Sequence, residues 1–185
     1  KIDPKAVESV PVLFGERDII KIFQMTPGVK SAGEGNAGFF VRGGSADQNL
    51  VLLDEAPVYN ASHLFGFFSV FNADAVSNLE ITKGGIPANY GSRLASVLDI
   101  GLKEGNQKKI QAKGGVGSIA SRFTIEGPIK KNVSSFIISG RRTYIDALTK
   151  PFIKPTANAY GSGYYFYVLN TKLNVRLNDK HQLFM

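Results

Sequence analysis

The chain is 185 residues long, 43% hydrophobic and 20% charged, a globular balance rather than a disordered one. It has no cysteine and only two histidines, His63 and His181, which excludes disulfides, thiolate metal sites and multi-histidine metal centres. Its net charge of +7 is uneven: residues 1–103 carry 9 Lys/Arg against 11 Asp/Glu, and residues 104–185 carry 13 against 4.

Such an asymmetry can mark nucleic-acid or membrane contact. The basic residues come as scattered pairs (Lys108-Lys109, Lys130-Lys131, Arg141-Arg142) and not as one helical stripe, which argues against nucleic acid. No apolar run approaches about 18 residues, so no transmembrane helix is expected. Lys1–Val10 is polar and opens without a signal-peptide pattern, as expected of a mature or trimmed N-terminus.

In chain order, Val10–Phe14 is a short apolar run ended by Gly15, expected as a strand. Ile19, Ile20, Ile22 and Phe23 form a broad apolar helical face, with Glu16 and Asp18 placed for acidic residues in the first turn. Thr26-Pro27-Gly28 stops that helix, and glycine-rich Lys30–Gly38 reads as a loop. Phe39–Arg42 and Asn49–Asp54 are continuous apolar runs, expected as buried strands joined by Gly43-Gly44-Ser45-Ala46-Asp47. Asp54–Pro57 reads as a turn. Tyr59–Asn72 crowds His63, Leu64, Phe65, Phe67, Phe68, Val70 and Phe71 without a clean period, an apolar patch that needs cover. Ala73–Asn78 reads as one or two helical turns. Leu79–Lys83 and Ser96–Leu102 are strands around a glycine-rich loop.

After Gly105 the pattern becomes long antiparallel ribbons: Gln107–Gly117, Ile119–Glu126, Val133–Arg142 and Tyr164–Leu177. Gly117-Ser118, Gly127–Asn132, Thr143–Gly163 and Asn178-Asp179-Lys180 connect them, and a further strand begins at His181. In the longest, Tyr165, Tyr167, Leu169, Leu173, Val175 and Leu177 share one face, and Asn170, Lys172, Asn174 and Arg176 the other. Successive amphipathic strands joined by alternating short and long connections are the mark of a transmembrane β-barrel. A water-soluble sheet packed on the first domain is the alternative reading of the pattern, but nothing in the chain is left to cover its outward face.

Catalytic and cofactor chemistry find little support. The runs at Gly43 and Gly114 match neither GxxxxGK[ST] nor GxGxxG, so no nucleotide cofactor is expected. Asp54, Glu55 and His63 could supply part of an acid–base constellation, but no serine sits in a nucleophile elbow. Asn60-Ala61-Ser62 and Asn132-Val133-Ser134 match a glycosylation sequon that means little without a secretory context. Arg42, Asp54, Glu80, Lys83 and Arg93 sit at strand ends or glycine turns. Alone they read as solvent-exposed termini; inside a larger enclosure they would need partners.

Met25-Thr26-Pro27-Gly28-Val29, Val41-Arg42-Gly43-Gly44, Asn49–Asp54, Pro57-Val58-Tyr59-Asn60, Leu79–Gly85 and Pro87-Ala88-Asn89-Tyr90-Gly91 resemble the plug domain of TonB-dependent outer-membrane receptors. The branch is the one whose plug often follows a carboxypeptidase-regulatory-like domain. Phe123–Pro128 and Ser139–Arg142 resemble the first strands of that family's barrel. Two departures are Asp54-Glu55 where the family has Asp-Gly, and Gly91-Ser92-Arg93 where it often has Gly-Gly-Arg.

The resemblance implies an α+β chain: a small mixed α/β plug over residues 1–105, then antiparallel transmembrane strands of an incomplete barrel over 106–185. It implies a transporter and not an enzyme, without metal or other cofactor. TonB would act through an N-terminal segment that is not identifiable here. The other partners would be outer-membrane lipid, an imported ligand and, as an option, a surface lipoprotein. Three plug apices are expected at Lys30–Asn36, Ser45–Gln48 and Val58–His63, offering Glu34, Asn36, Ser45, Asp47, Tyr59, Asn60 and His63 to substrate. Arg42, Glu80 and Arg93 are expected in plug–barrel or intra-plug ion pairs. A plug-fold adhesion or assembly module and a ligand-sensing receptor are the alternatives.

Overall fold

A computed structural model describes residues 17–33, 38–63, 66, 68–91, 93–152, 165–178 and 180–185. They fall into two compact units, Arg17–Lys103 and Glu104–Met185. The strand expected at Val10–Phe14 lies outside the described residues.

The first unit is built on helix α1 (Ile19–Gln24), whose Ile19, Ile20, Ile22 and Phe23 are all buried. Burying each such side chain is worth about 1.5–3 kcal/mol. Asp18 is the N-cap and no acid lies in the first turn, which corrects the expected placement. Its Oδ1 accepts the Ile20 N–H at 2.9 Å, and its Oδ2 accepts the Ser69 N–H at 2.7 Å. One carboxylate thus starts the helix and ties it to a segment far away in sequence.

Strand β1 (Val29–Ser31) pairs antiparallel with β2 (Phe39–Val41). The expected loop at Lys30–Gly38 therefore begins as a strand, because Val29 packs on the core and draws its neighbours into pairing. Strands β3 (Asn49–Leu53), β4 (Ala56–Pro57), β7 (Val76–Thr82) and β8 (Ser96–Leu102) form a mixed sheet in the order β4-β3-β8-β7. β3 and β8 run parallel; the other pairs are antiparallel. Between β4 and β7 lie a short hairpin, β5 (Ser62–His63) with β6 (Phe68–Ser69), and a 3-10 turn at Ala73–Ala75. The helical turns expected over Ala73–Asn78 stop at Ala75 because Val76 joins the ladder. Val41, Val51, Phe71, Leu79, Leu98 and Ile100 pack with α1 into one core.

Asp54-Glu55 is a two-residue hairpin between β3 and β4, and both residues have positive φ, 47° and 68°. The backbone keeps the turn class with two left-handed residues, where Asp-Gly is preferred, although Glu55 carries a side chain.

The second unit is an antiparallel meander of β9 (Gln111–Val116), β10 (Ala120–Lys130), β11 (Ser134–Thr143), β12 (Tyr167–Arg176) and β13 (Gln182–Phe184), each paired with the next. A helical turn, α2 (Ile145–Thr149), opens the connection between β11 and β12. Gly127–Lys130 belongs to β10 and not to a turn, so the expected connection shrinks to Lys131–Val133. Pro128 is tolerated there because pairing with β9 stops at Glu126, opposite Gln111, leaving Pro128 paired on one side only.

The registers sort the sheet into two faces. Ala112, Phe123, Ile125, Phe136, Ile138, Leu169 and Leu173 share one; Lys113, Thr124, Ser135, Ser139, Asn170 and Asn174 share the other. The face assignments expected for β12 hold. Exposure runs opposite to a water-soluble sheet: Leu169 is 65% and Phe123 46% exposed, whereas Ser135 and Asn174 are fully buried. Among the described residues no helix is long and apolar enough to cross a membrane.

Candidate functional site

The loop after β2 is held by a short polar relay. Asn49 Nδ2 donates to the carbonyls of Phe39 at 2.8 Å and Ala46 at 3.2 Å, and the Ser96 hydroxyl donates to Asn49 Oδ1 at 2.7 Å. This fixes β2, β3 and β8 under a 3-10 turn at Ala46–Gln48, where Ser45 and Gln48 form a capping box. Gly44 allows it: a Cβ there would stand 2.6 Å from the Ala95 Cβ and 3.2 Å from the Val41 carbonyl oxygen.

The turn borders a cavity of about 320 Å³ within the first unit. Gly38, Ala46, Asp47, Val58, Tyr59, Ser62 and Arg93 are among its lining residues, over an apolar floor that includes Ile20 and Val51. The cavity therefore touches two of the loops expected as apices, Ser45–Gln48 and Val58–His63; none of its described lining residues belongs to Lys30–Asn36. Asp47 is fully exposed, and its carboxylate accepts the Ser45 hydroxyl at 2.5 Å. That bond first, then its own backbone N–H and more weakly the Arg93 charge, hold the carboxyl below its ordinary range. Tyr59 is 88% exposed at the rim. A carboxylate, a guanidinium and an open phenol ring around one hollow can hydrogen-bond, pair charge and stack.

Of the other expected contact residues, Asn60 is exposed next to Tyr59, and its side chain accepts the Ser62 N–H at 3.2 Å. The His63 backbone lies in β5. Glu34 and Asn36 lie outside the described residues.

The residues expected in ion pairs sit in three different settings. Arg42 is exposed in a left-handed turn, φ 48°, and a Cβ at Gly84 would lie 3.0 Å from one of its guanidinium nitrogens. Lys83 Nζ donates to Thr26 Oγ1 at 2.8 Å and to the Pro27 carbonyl at 2.6 Å. Burial, then the Arg42 charge, push Lys83 below the usual lysine range. Glu80 lies directly across the β7–β8 ladder from Asp99. Burial first, then Glu55, Glu80 and Asp54, push the Asp99 carboxyl up. Arg93 shares the cavity with Asp47. Among the described residues no cluster of three metal-ligating side chains occurs.

Residues 8–97 match the TonB-dependent Receptor Plug Domain family. The chain carries a TonB-dependent receptor plug. Solved structures agree on the fold. The siderophore receptor PirA from Acinetobacter baumannii superposes with a TM-score of 0.64 at 21% identity, covering 96% of this chain and 29% of that one. PirA from Pseudomonas aeruginosa gives 0.63 at 18%, covering 96% and 30%. A mutant of the ferric enterobactin receptor PfeA from Pseudomonas aeruginosa, in complex with enterobactin, gives 0.61 at 17%, again covering 96% and 30%. The chain thus spans about 30% of the length of the receptors it resembles. No curated protein matches it by sequence.

In the plug, sequence reasoning missed Arg93 and Ser62 as cavity residues. Ser62 lies inside an expected apex and could have been included. Arg93 carries no local signal, because non-local pairing, including the Ala95 N–H bond to the Gln48 carbonyl at 3.0 Å and the Asn49–Ser96 register of β3 and β8, brings its segment beside Asp47.

Proposed function

We propose that the chain is the plug, residues 1–105, and the first barrel strands, residues 106–185, of an outer-membrane receptor that imports a large or scarce nutrient. TonB supplies the energy from the periplasm, outer-membrane lipid surrounds the strands, and the plug is the gate rather than an enzyme. A surface lipoprotein that presents the ligand is compatible with this arrangement. The cavity bordered by Asp47, Tyr59 and Arg93 is the plug's share of the substrate site. The observation that carries this is the meeting of the Ser45–Gln48 loop, the Val58–His63 loop and the Arg93 segment, separate in sequence, around one hollow with mixed polar and aromatic lining. Ser45 and Asn60 orient Asp47 and the Tyr59 loop through their hydrogen bonds. His63 belongs to the same loop as Tyr59, and Glu34 and Asn36 are assigned to the remaining apex, Lys30–Asn36. Arg42 and Glu80 are assigned to ion pairs in the full receptor, and Arg93 to charge pairing with Asp47.

The test is the double substitution Asp47→Ala with Tyr59→Ala in the full receptor. Ligand affinity should fall by roughly tenfold or more, as for truncation of an aromatic anchor and a charged contact, with the receptor still assembled in the outer membrane. Unchanged affinity overturns the site. Ligand binding without TonB-dependent uptake would mark a sensing receptor or an adhesion module instead.

A further inference from the structure

Much of the charge excess of residues 104–185 collects at one end of the second unit. Lys108 and Lys109 precede β9, Lys130 and Lys131 close β10, and Arg176, Lys180 and His181 surround the turn between β12 and β13; all are exposed. Backbone bonds stitch these segments into one rim. The Gln107 carbonyl accepts the Asn132 N–H at 3.2 Å, and the Val133 carbonyl accepts the Arg176 N–H at 2.8 Å. Two acids share this end in sequence. The Glu104 carboxylate is taken up by the side-chain amides of Asn174 at 2.9 Å and Gln182 at 3.2 Å. Asp179 lies outside the described residues.

The cations alternate with exposed apolar side chains. Ile110 follows Lys109 and is 70% exposed, Ile129 precedes Lys130 at 61%, and Leu177 follows Arg176 at 66%. Behind them runs the exposed apolar face of the sheet. A water-facing turn needs no such apolar rank, and an acidic soluble partner would leave it uncovered. A surface with acyl chains beneath a layer of phosphates matches both features at once, because lysine stems lie along apolar surface while the ammonium reaches the phosphate.

We propose that this rim docks on the phosphate headgroups of anionic glycerophospholipids at the edge of the bilayer. The inference rests on reading the sheet as membrane-spanning. Lys108, Lys109, Lys130 and Lys131 hold the phosphates, and Ile110, Ile129 and Leu177 enter the acyl layer beneath them.

The full receptor is placed in nanodiscs of phosphatidylethanolamine mixed with phosphatidylglycerol, and the lipid it retains is read by native mass spectrometry. Wild type should enrich phosphatidylglycerol, and the fourfold variant Lys108→Gln, Lys109→Gln, Lys130→Gln, Lys131→Gln should lose roughly tenfold of that enrichment, given the attraction of each cation near an anionic surface. High salt should collapse it in wild type. The matching Lys→Arg variant should keep it. Enrichment unchanged by Lys→Gln overturns the proposal, as does equal loss in the Arg variant, which would mean a folding defect. Release of an acidic protein with lipid enrichment intact would assign the rim to a protein partner and also overturn it. Import that persists while enrichment is absent rejects the rim and leaves the transport reading standing; a receptor that never inserts rejects both.

Discussion

Asp99 shows how single charges tune the plug. It lies opposite Glu80 in the ladder, with Asp54 and Glu55 in the adjoining hairpin, and burial with these three negative neighbours raises its carboxyl above its ordinary value of 3.8. The sign follows from linkage: with the folded value raised, the plug is favoured most below the ordinary value and loses that increment as pH rises through the raised one. Asp99→Asn should therefore increase amide protection along β8 at neutral pH, and the advantage should fade as pH falls toward 3.8. Protection factors in the assembled receptor, corrected for intrinsic exchange, report it; equal protection in variant and wild type at neutral pH would refute the repulsion. Asp54 is less free to change, because its Oδ1 accepts the Leu102 N–H at 2.9 Å and closes the end of β8.

At the scale of elements, the hairpin between β3 and β4 is the place where sequence and backbone disagree. Glu55 sits at φ 68°, a conformation that costs an L-residue with a Cβ about 1–2 kcal/mol. Glu55→Gly should stabilise the hairpin by about 1 kcal/mol. Part of any gain could come from relieving Asp99, so Glu55→Gln serves as the reference, since it removes the charge and keeps the Cβ. Slower exchange of β3 and β4 in the Gly variant than in the Gln variant isolates the backbone contribution. The linker into the second unit has the opposite character. Gly105 is at φ 83°, where a Cβ would stand 2.4 Å from the Phe136 carbonyl oxygen, so glycine is required there by both backbone and space. The neighbouring Glu104 carbonyl accepts the Ser135 hydroxyl at 2.6 Å, fastening the linker to β11.

For the whole molecule, the decisive property is the reversed polarity of the five-stranded sheet. Ile125 lies mid-strand on the apolar face, between Ala112 and Ile138 in register, and is 39% exposed. In a bilayer, Ile125→Lys should oppose insertion by about 2–4 kcal/mol, and outer-membrane levels of the full receptor should drop sharply, whereas Ile125→Phe should assemble normally. A water-soluble sheet would tolerate a lysine at so exposed a position, so normal assembly of Ile125→Lys would refute the membrane reading.

The sequence by itself determined the elements and the order of the architecture. The spacing of Ile19, Ile20, Ile22 and Phe23 specified α1, the alternation from Tyr165 to Leu177 specified the two faces of β12, and the motif string from Met25 to Gly91 identified the plug. These are local signals, because side-chain periodicity and turn chemistry act over a few residues. Where non-local packing competes, the sequence misleads: glycine-rich composition hid β1, and Gly127-Pro128 hid the end of β10. Only the tertiary structure decided which residues share a space. It joined Arg93 to Asp47 and Tyr59, Asp18 to Ser69, and Asp99 to the acids of a neighbouring hairpin. Those pairings depend on a parallel β3–β8 ladder and on bonds between segments far apart in the chain, for which no residue's neighbours in sequence carry information.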